Sequence, residues 1–256
     1  MSSDLFASAM RRGKARIMTD KRQLAATSLS IHGVTMQRPE TLTSVVAKFI
    51  HDAIIRGEYV PGTPLREIPL AQQLGTSRGT VREALHSLAE QGLVEIQPHR
   101  GSFVLRITRR RAIEVYELRE LLEGYAVGLA VERGCFSGDE ARSLEELSVE
   151  LEAIAREGNP LAIIEAESRI HHRLWSTCGN GLLRDFISLL DEQTRYLKIY
   201  HGALDHSPDE EVAEHRRLVE AALSGDPERA RRAVSDHIRV SGNLLLATMP
   251  PDTANE

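Results

Sequence analysis

Three histidines and one glutamate stand where a helical pattern calls for apolar side chains. In LAIIEAESRIHHRLWSTCGN, Ile164, Glu167, His171, Leu174 and Cys178 recur at spacings of three and four, which places them on one helical face. The neighbouring face, Glu165, Ser168, His172 and Ser176, is polar throughout, so His171 points inward and His172 outward. Glu167 and His171 are one turn apart and therefore side by side. Further on, His215 shares a stripe with Val212, Val219 and Ala222, and His237 shares one with Ala233, Val234, Val240 and Leu244. Converging from three helices, neutral imidazoles and a carboxylate suit zinc, nickel or manganese and leave positions open for water or an anion. The alternative is that each histidine is a hydrogen-bonded core residue, although a buried carboxylate such as Glu167 then needs another partner. An ion held this way could also activate water, so a metal-dependent hydrolase is an alternative reading. No second base, nucleophile motif or phosphate loop accompanies it.

A different chemistry sits in TSRGTVREALHSLAEQGLVEIQPHRGSFV. Arg78 and Arg82 are four apart and share a face, while Val81, Leu85 and Leu88 hold the opposite side to the domain. Ser77 is a candidate N-cap. Ser77 and Thr80 have hydroxyls for phosphates or base edges, and Gly79 lets a phosphate approach the backbone. A guanidinium grips guanine O6 and N7 through two hydrogen bonds, each such pair discriminating by about 1–3 kcal/mol. His99, Arg100 and Gly101 form the basic tip of a hairpin placed to lie over a sugar-phosphate backbone or in a minor groove. Arg66, just before the preceding helix, adds a phosphate contact.

The elements that must position these groups are legible from period and punctuation. A helix runs through TLTSVVAKFIHDAIIRGEYVPG, with Val45, Phe49, Ala53 and Ile54 as its stripe, until Gly57, Pro61, Gly62 and Pro64 break it. REIPLAQQLGTS gives a short second helix closed by Gly75, and SRGTVREALHSLAEQG a third closed by Gly92. The tight Gly75-Thr76-Ser77 break is the geometry of a helix-turn-helix, whose second helix enters a major groove by its N-terminal end. LVEIQPHRGSFVLRI alternates about Pro98 to Gly101 and reads as a two-stranded hairpin. From Arg109 on, six amphipathic helices with short loops predict an antiparallel bundle, the last with Asp226 as N-cap and Pro227 at its first position.

The chain is therefore expected to be mainly α. Residues 1–40 read as a disordered tail, 41–108 as a winged helix-turn-helix of three helices and a hairpin, 109–248 as an all-helical domain, to which the family resemblance given below assigns effector binding and dimerisation, and 249–256 as a disordered end. A net charge of −5 over 256 residues conceals a split. Residues 1–111 hold 17 Lys and Arg against 9 Asp and Glu, and residues 112–256 hold 15 against 28. A basic half facing a polyanion and an acidic half facing none is the expected arrangement. Cys135 and Cys178 make no disulfide framework, and no apolar run approaches the ~18 residues of a membrane span.

PGTPLREIPLAQQLGTSRGTVREALHSLAEQGLVEIQPHRGSFV resembles the winged helix-turn-helix of the GntR family of bacterial transcription regulators, with SRGTVREAL, L-x3-GLV and RGSFV as the matching pieces. The resemblance implies that Arg78 and Arg82 contact operator bases and that Arg66, Thr80 and His99 to Gly101 also contact DNA. Relatives commonly carry Thr or Pro where this chain has Gly79. Residues 112 to about 245 resemble the all-helical FCD domain of the FadR subfamily, through VYELRELLEG, the H-x8-N of His171 and Asn180, EHRRLVEAALSGD and the His237-Ile238 pair. That resemblance implies a metal held at Glu167, His171, His215 and His237 beneath a pocket for a small carboxylate effector. Arg119 is then a candidate for the effector's charge, or else the ion-pair partner of Glu123. The family has Asp where this chain has Glu167, which leaves open whether that ligand shifts, binds through both oxygens or is lost. The whole implies a cytoplasmic, nucleoid-associated bacterial regulator. It would act as a homodimer on a palindromic double-stranded DNA operator, as a repressor of a carboxylate-metabolism operon.

Overall fold

The computed structural model describes the backbone of residues 27–31 and 34–38, and residues 41–201 and 207–252. Among these, five strands and nine helices are present. Strands β1 (Thr27–Ile31) and β2 (Val34–Arg38) pair antiparallel, Thr27 opposite Arg38 and Ile31 opposite Val34. The expectation of a structureless tail over residues 1–40 does not hold for these ten. Their polar–apolar alternation has period two but lasts only five residues on each side. The rest of that tail lies outside the described residues.

Helix α1 (Leu42–Ile55) begins at Thr41, whose side chain accepts from the Ser44 amide. It buries Val46, Ala47, Ile50, Ala53 and Ile54, so its core face is turned slightly from the Val45–Phe49 stripe read in the sequence. Each fully buried side chain such as Ile50 contributes about 1.5–3 kcal/mol of apolar transfer. Helix α2 (Glu67–Leu74) stops at Gly75, whose φ of +62° an L side chain adopts only under strain. Helix α3 (Arg78–Glu90) starts at Ser77 and buries Val81, Ala84, Leu85 and Leu88, the positions its spacing marks. Strands β4 (Val94–Gln97) and β5 (Gly101–Val104) form the expected hairpin. A short strand β3 (Pro64–Leu65) joins the other edge of β5, giving three strands instead of two. Pro64 has no N–H to donate and is tolerated because β3 is an edge.

The second part of the chain is helical: α4 (Arg109–Glu132), α5 (Asp139–Glu157), α6 (Pro160–Ser176), α7 (Gly181–His201), α8 (Pro208–Leu223) and α9 (Pro227–Thr248). Helices α4 and α9 form the most extensive pair and approach closely through glycines. A Cβ on Gly242 would come within 2.7 Å of the Tyr116 ring. Asn159, Asn180 and Asp226 cap α6, α7 and α9 through their side chains.

Of the end expected to be disordered, residues 249–252 are described and 253–256 lie outside the described residues. Met249 is buried, and the Asp252 carboxylate accepts from the amides of Arg109 and Arg110 at 2.6 and 2.9 Å. With Thr108 accepting from the Arg111 amide, three orphan donors at the start of α4 are satisfied. Asp252 thus ties the segment after α9 to the joint between the two halves of the chain. No helix among the described residues is long and apolar enough to cross a membrane.

Candidate functional site

The basic hairpin domain places its arginines as the spacing requires. Arg66, Arg78, Arg100 and Gly101 line one open cleft of about 700 Å³ between α2, the tip of α3 and the wing. All three arginines are exposed, so their charge is available to an anion. His99 and Gly101 both have positive φ, +62° and +100°, which folds the tip back and presents Arg100 near the Phe103 ring. Ser77 and Thr80 are occupied with each other: Ser77 Oγ accepts from the Thr80 amide at 3.1 Å, and their hydroxyls lie 2.8 Å apart. Their first duty is to start α3. Arg82 is exposed but not idle, since its Nε and a terminal nitrogen donate to the two Glu67 oxygens at 2.7 and 2.8 Å. This fork fixes the guanidinium plane before any base is met, and it holds the Glu67 carboxyl below its usual range.

The three histidines converge. His171 on α6, His215 on α8 and His237 on α9 offer ligand atoms that lie within 4.8 Å of one another. Their outer nitrogens are committed: His171 Nδ1 to Glu123 Oε2 at 3.0 Å, and His215 Nδ1 to the Glu211 carbonyl at 2.8 Å. His237 Nδ1 faces Glu214 at 3.9 Å. Donation outward from His171 and His215 leaves their Nε2 lone pairs facing inward. His171 Nε2 and His237 Nε2 stand 3.2 Å apart, and His215 Nε2 is buried without a partner among the described residues. Facing lone pairs at that distance repel unless a proton or cation lies between them. Burial pushes all three imidazoles below their ordinary value, so they are neutral near pH 7, the form that ligates. The residues present therefore fit a transition-metal ion with His171, His215 and His237 as its ligands.

Glu167 lies outside the group of three histidines but belongs to a second one, Glu167, Glu211 and His215, whose ligand atoms also lie within 4.8 Å of one another, so the two groups share His215. The extra methylene of Glu167, relative to aspartate, lets the carboxylate reach across to α7. There its Oε2 meets Lys198 Nζ at 2.7 Å, both groups being buried. Its oxygens still lie near Glu211 and His215. Burial pushes the Glu167 carboxyl up, but the charges of Lys198 and His215 and the hydrogen bonds with Lys198 and Glu211 together hold it below its usual range. Arg119 is buried, and its Nε donates to Glu123 Oε1 at 2.6 Å. The sequence alternative of an Arg119–Glu123 pair is thus the arrangement present, although Arg119 also lines the interior cavity beside His171. Arg119, Glu123 and His171 form one hydrogen-bonded chain leading to the histidine cluster.

Sequence reasoning missed Glu123 as the group that orients His171, and it missed Lys198 and Asp191. The signal was available: Ile187, Leu190, Asp191, Thr194, Leu197 and Lys198 fall on one stripe of α7, and two of them are ionisable. Asp191, pushed up to about 6 by burial, accepts from Ser168 Oγ at 2.9 Å.

Helix α7 has a second face. Glu192 accepts from His51 of α1 at 2.9 Å, Tyr200 donates to the carbonyls of Ile54 and Tyr59 at 2.7 and 2.9 Å, and Tyr196 donates to that of Leu105. One helix therefore lines the cavity beside the histidines and also grips the basic hairpin domain.

A winged helix-turn-helix fixed to a six-helix domain with an inward histidine cluster defines a two-part bacterial DNA-binding regulator. The chain belongs to the gntR family: residues 42–104 match the model of the bacterial regulatory proteins of that family, and residues 114–240 match the FCD domain. It is 33% identical over 199 residues to a probable D-xylose utilization operon transcriptional repressor of Paenarthrobacter nicotinovorans, covering 77% of this chain and 86% of that one. It is 24% identical to the HTH-type transcriptional repressor RspR of Escherichia coli, over 76% of this chain and 84% of that one. Among solved structures, E. coli McbR/YncC shares the fold with a TM-score of 0.69 and 24% identity, over 80% of this chain and 97% of that one. The protein is a DNA-binding transcription regulator and not an enzyme, which sets aside the hydrolase reading.

Proposed function

We propose that this regulator is a repressor that binds a palindromic operator as a homodimer in the bacterial cytoplasm, and that a small carboxylate effector bound beside a metal releases it. The observation that carries the reading is the cluster of His171, His215 and His237, with inward Nε2 atoms and outward partners, on helices that share a core with α7. An ion there, zinc, nickel or manganese, supplies a Lewis-acidic site for an acid's oxygen. Arg78 and Arg82 read base edges, while Arg66, Arg100 and the wing hold phosphates. Effector binding shifts the balance between DNA-competent and DNA-incompetent arrangements in proportion to its preference for one of them. Helix α7, touching both the cavity and α1, is the element that links effector binding to the DNA-binding domain.

One recognition helix makes few base contacts, so two copies are required for tight specific binding. Leu118, Leu121 and Tyr125, spaced three and four along α4, are exposed at 46%, 67% and 47%, and supply an apolar face for the second copy. Footprinting on the intergenic region beside the gene tests the proposal. The expected result is protection of an inverted repeat by two chains, lost on adding the cognate acid. Uniform coating without a protected repeat refutes it.

A further inference from the structure

Two cavities meet at Lys198. The inner one, beside the histidines, measures about 20 Å³, room for a single water-sized particle. The outer one measures about 370 Å³ and opens to the surface between α8 and α9. Lys198, His237 and Ser241 line both and form the partition. An acid in the outer cavity already meets His237, and displacing the partition brings it to His171. His237 is committed to the cluster and Ser241 is small, whereas Lys198 is a four-carbon arm that can swing.

The other cations near the partition have duties elsewhere. Arg119 is held by Glu123, which cannot leave without releasing His171. Arg195 is paired with Glu192 and Glu165, and Arg217 with Glu214. Lys198 is held by Glu167, whose carboxylate stands outside the three-histidine set and remains beside His215 if it is released.

We propose that Lys198 is the docking cation for the effector's carboxylate, and that Glu167 is a resident carboxylate that occupies Lys198 until the effector replaces it. This rests on the effector reading above and makes it specific: the ligand is a small acid with one carboxylate for Lys198 and a second oxygen reaching the histidine cluster. Neutral ligands cannot make the exchange, because they leave Glu167 the better partner.

Calorimetric titration of malonate into the zinc-loaded full-length protein tests the exchange. Glu167→Gln removes the competitor without removing a histidine, so it should bind malonate about tenfold more tightly than the parent. Lys198→Met should bind it at least tenfold more weakly, and zinc should stay at one per chain in both variants. Lys198→Met strands a buried carboxylate and is liable to misfold. The double variant Lys198→Met/Glu167→Gln restores neutrality, and it must also fail to bind. Weaker malonate binding or lost zinc in Glu167→Gln overturns the proposal. So does unchanged binding in the double variant, or binding by none of the proteins. Operator binding, followed in the same samples by gel shift, separates this failure from that of the repressor reading, since only the latter predicts a shift.

Discussion

Replacing His51 by alanine should loosen the grip of the helical domain on the DNA-binding domain in a pH-dependent way. His51 Nε2 meets Glu192 at 2.9 Å and Nδ1 meets Asp52 at 3.1 Å. The His51 and Glu192 side chains are 17% and 28% exposed, so solvent screening is partial. The hydrogen bond to Glu192, opposed by burial and aided by Asp52, raises the His51 pKa, and the same contact lowers that of Glu192 despite its burial. A raised folded-state value means that the contribution is fully present below the unfolded value of 6.5 and fades as pH rises through the folded one. A charge-assisted contact of this kind is worth about 1–2 kcal/mol. The double-mutant cycle of His51→Ala with Glu192→Ala, read by urea unfolding at fixed protein concentration, should therefore give a coupling of about 1–2 kcal/mol at pH 6. At pH 9 it should fall to about 0.5 kcal/mol, the low end for a neutral hydrogen bond. A coupling that is absent at pH 6, or that grows toward pH 9, would refute the assignment of a protonated His51 to the domain contact.

Three further outcomes follow from the geometry. Arg82→Ala should cost specific operator affinity about ten- to a hundredfold in competition assays while sparing most nonspecific binding; equal loss on both DNAs would rule out base readout. Asp252→Ala, which orphans two amides at the start of α4, should destabilise the chain by about 1 kcal/mol and lower Tm by about 2–4 °C, and an unchanged melting curve would show that the terminal cap is not formed. Gly79→Ala should add about 0.5–1 kcal/mol of stability by calorimetry, because a Cβ there meets nothing closer than Ser77 Oγ at 3.7 Å; destabilisation would mean that the helix start is not as described.

Local signals carried far. Ser77, Gly75 and Gly92 bracket the recognition helix, and a one-residue difference in phase separates the inward His171 from the outward, exposed His172. The convergence of His215 and His237 on His171 was legible because each histidine interrupts an apolar stripe on its own helix. Partner choice was not legible in the same way. Whether Glu167 faces a metal or Lys198 depends on the distance between α6 and α7, and no single-helix period encodes that distance. Glu123 was hidden by being i+4 from Arg119, a spacing that accounted for it fully until His171 arrived from another helix. Strand β3 and the Asp252 cap escaped for a related reason: two residues of strand and one capping carboxylate have no periodicity, and both are defined by partners far away in sequence.

The central claim is that the three-histidine cluster controls a grip on DNA that the arginines of α3 supply. Fluorescence anisotropy on the operator, comparing the parent with His215→Ala, tests it most directly, with metal content measured on the same samples. The account predicts one bound metal per chain in the parent and none in the variant, equal operator affinity without acid, and release by the cognate acid in the parent alone. A His215→Ala protein that keeps its metal, or that still lets go of the operator when the acid is added, would contradict it.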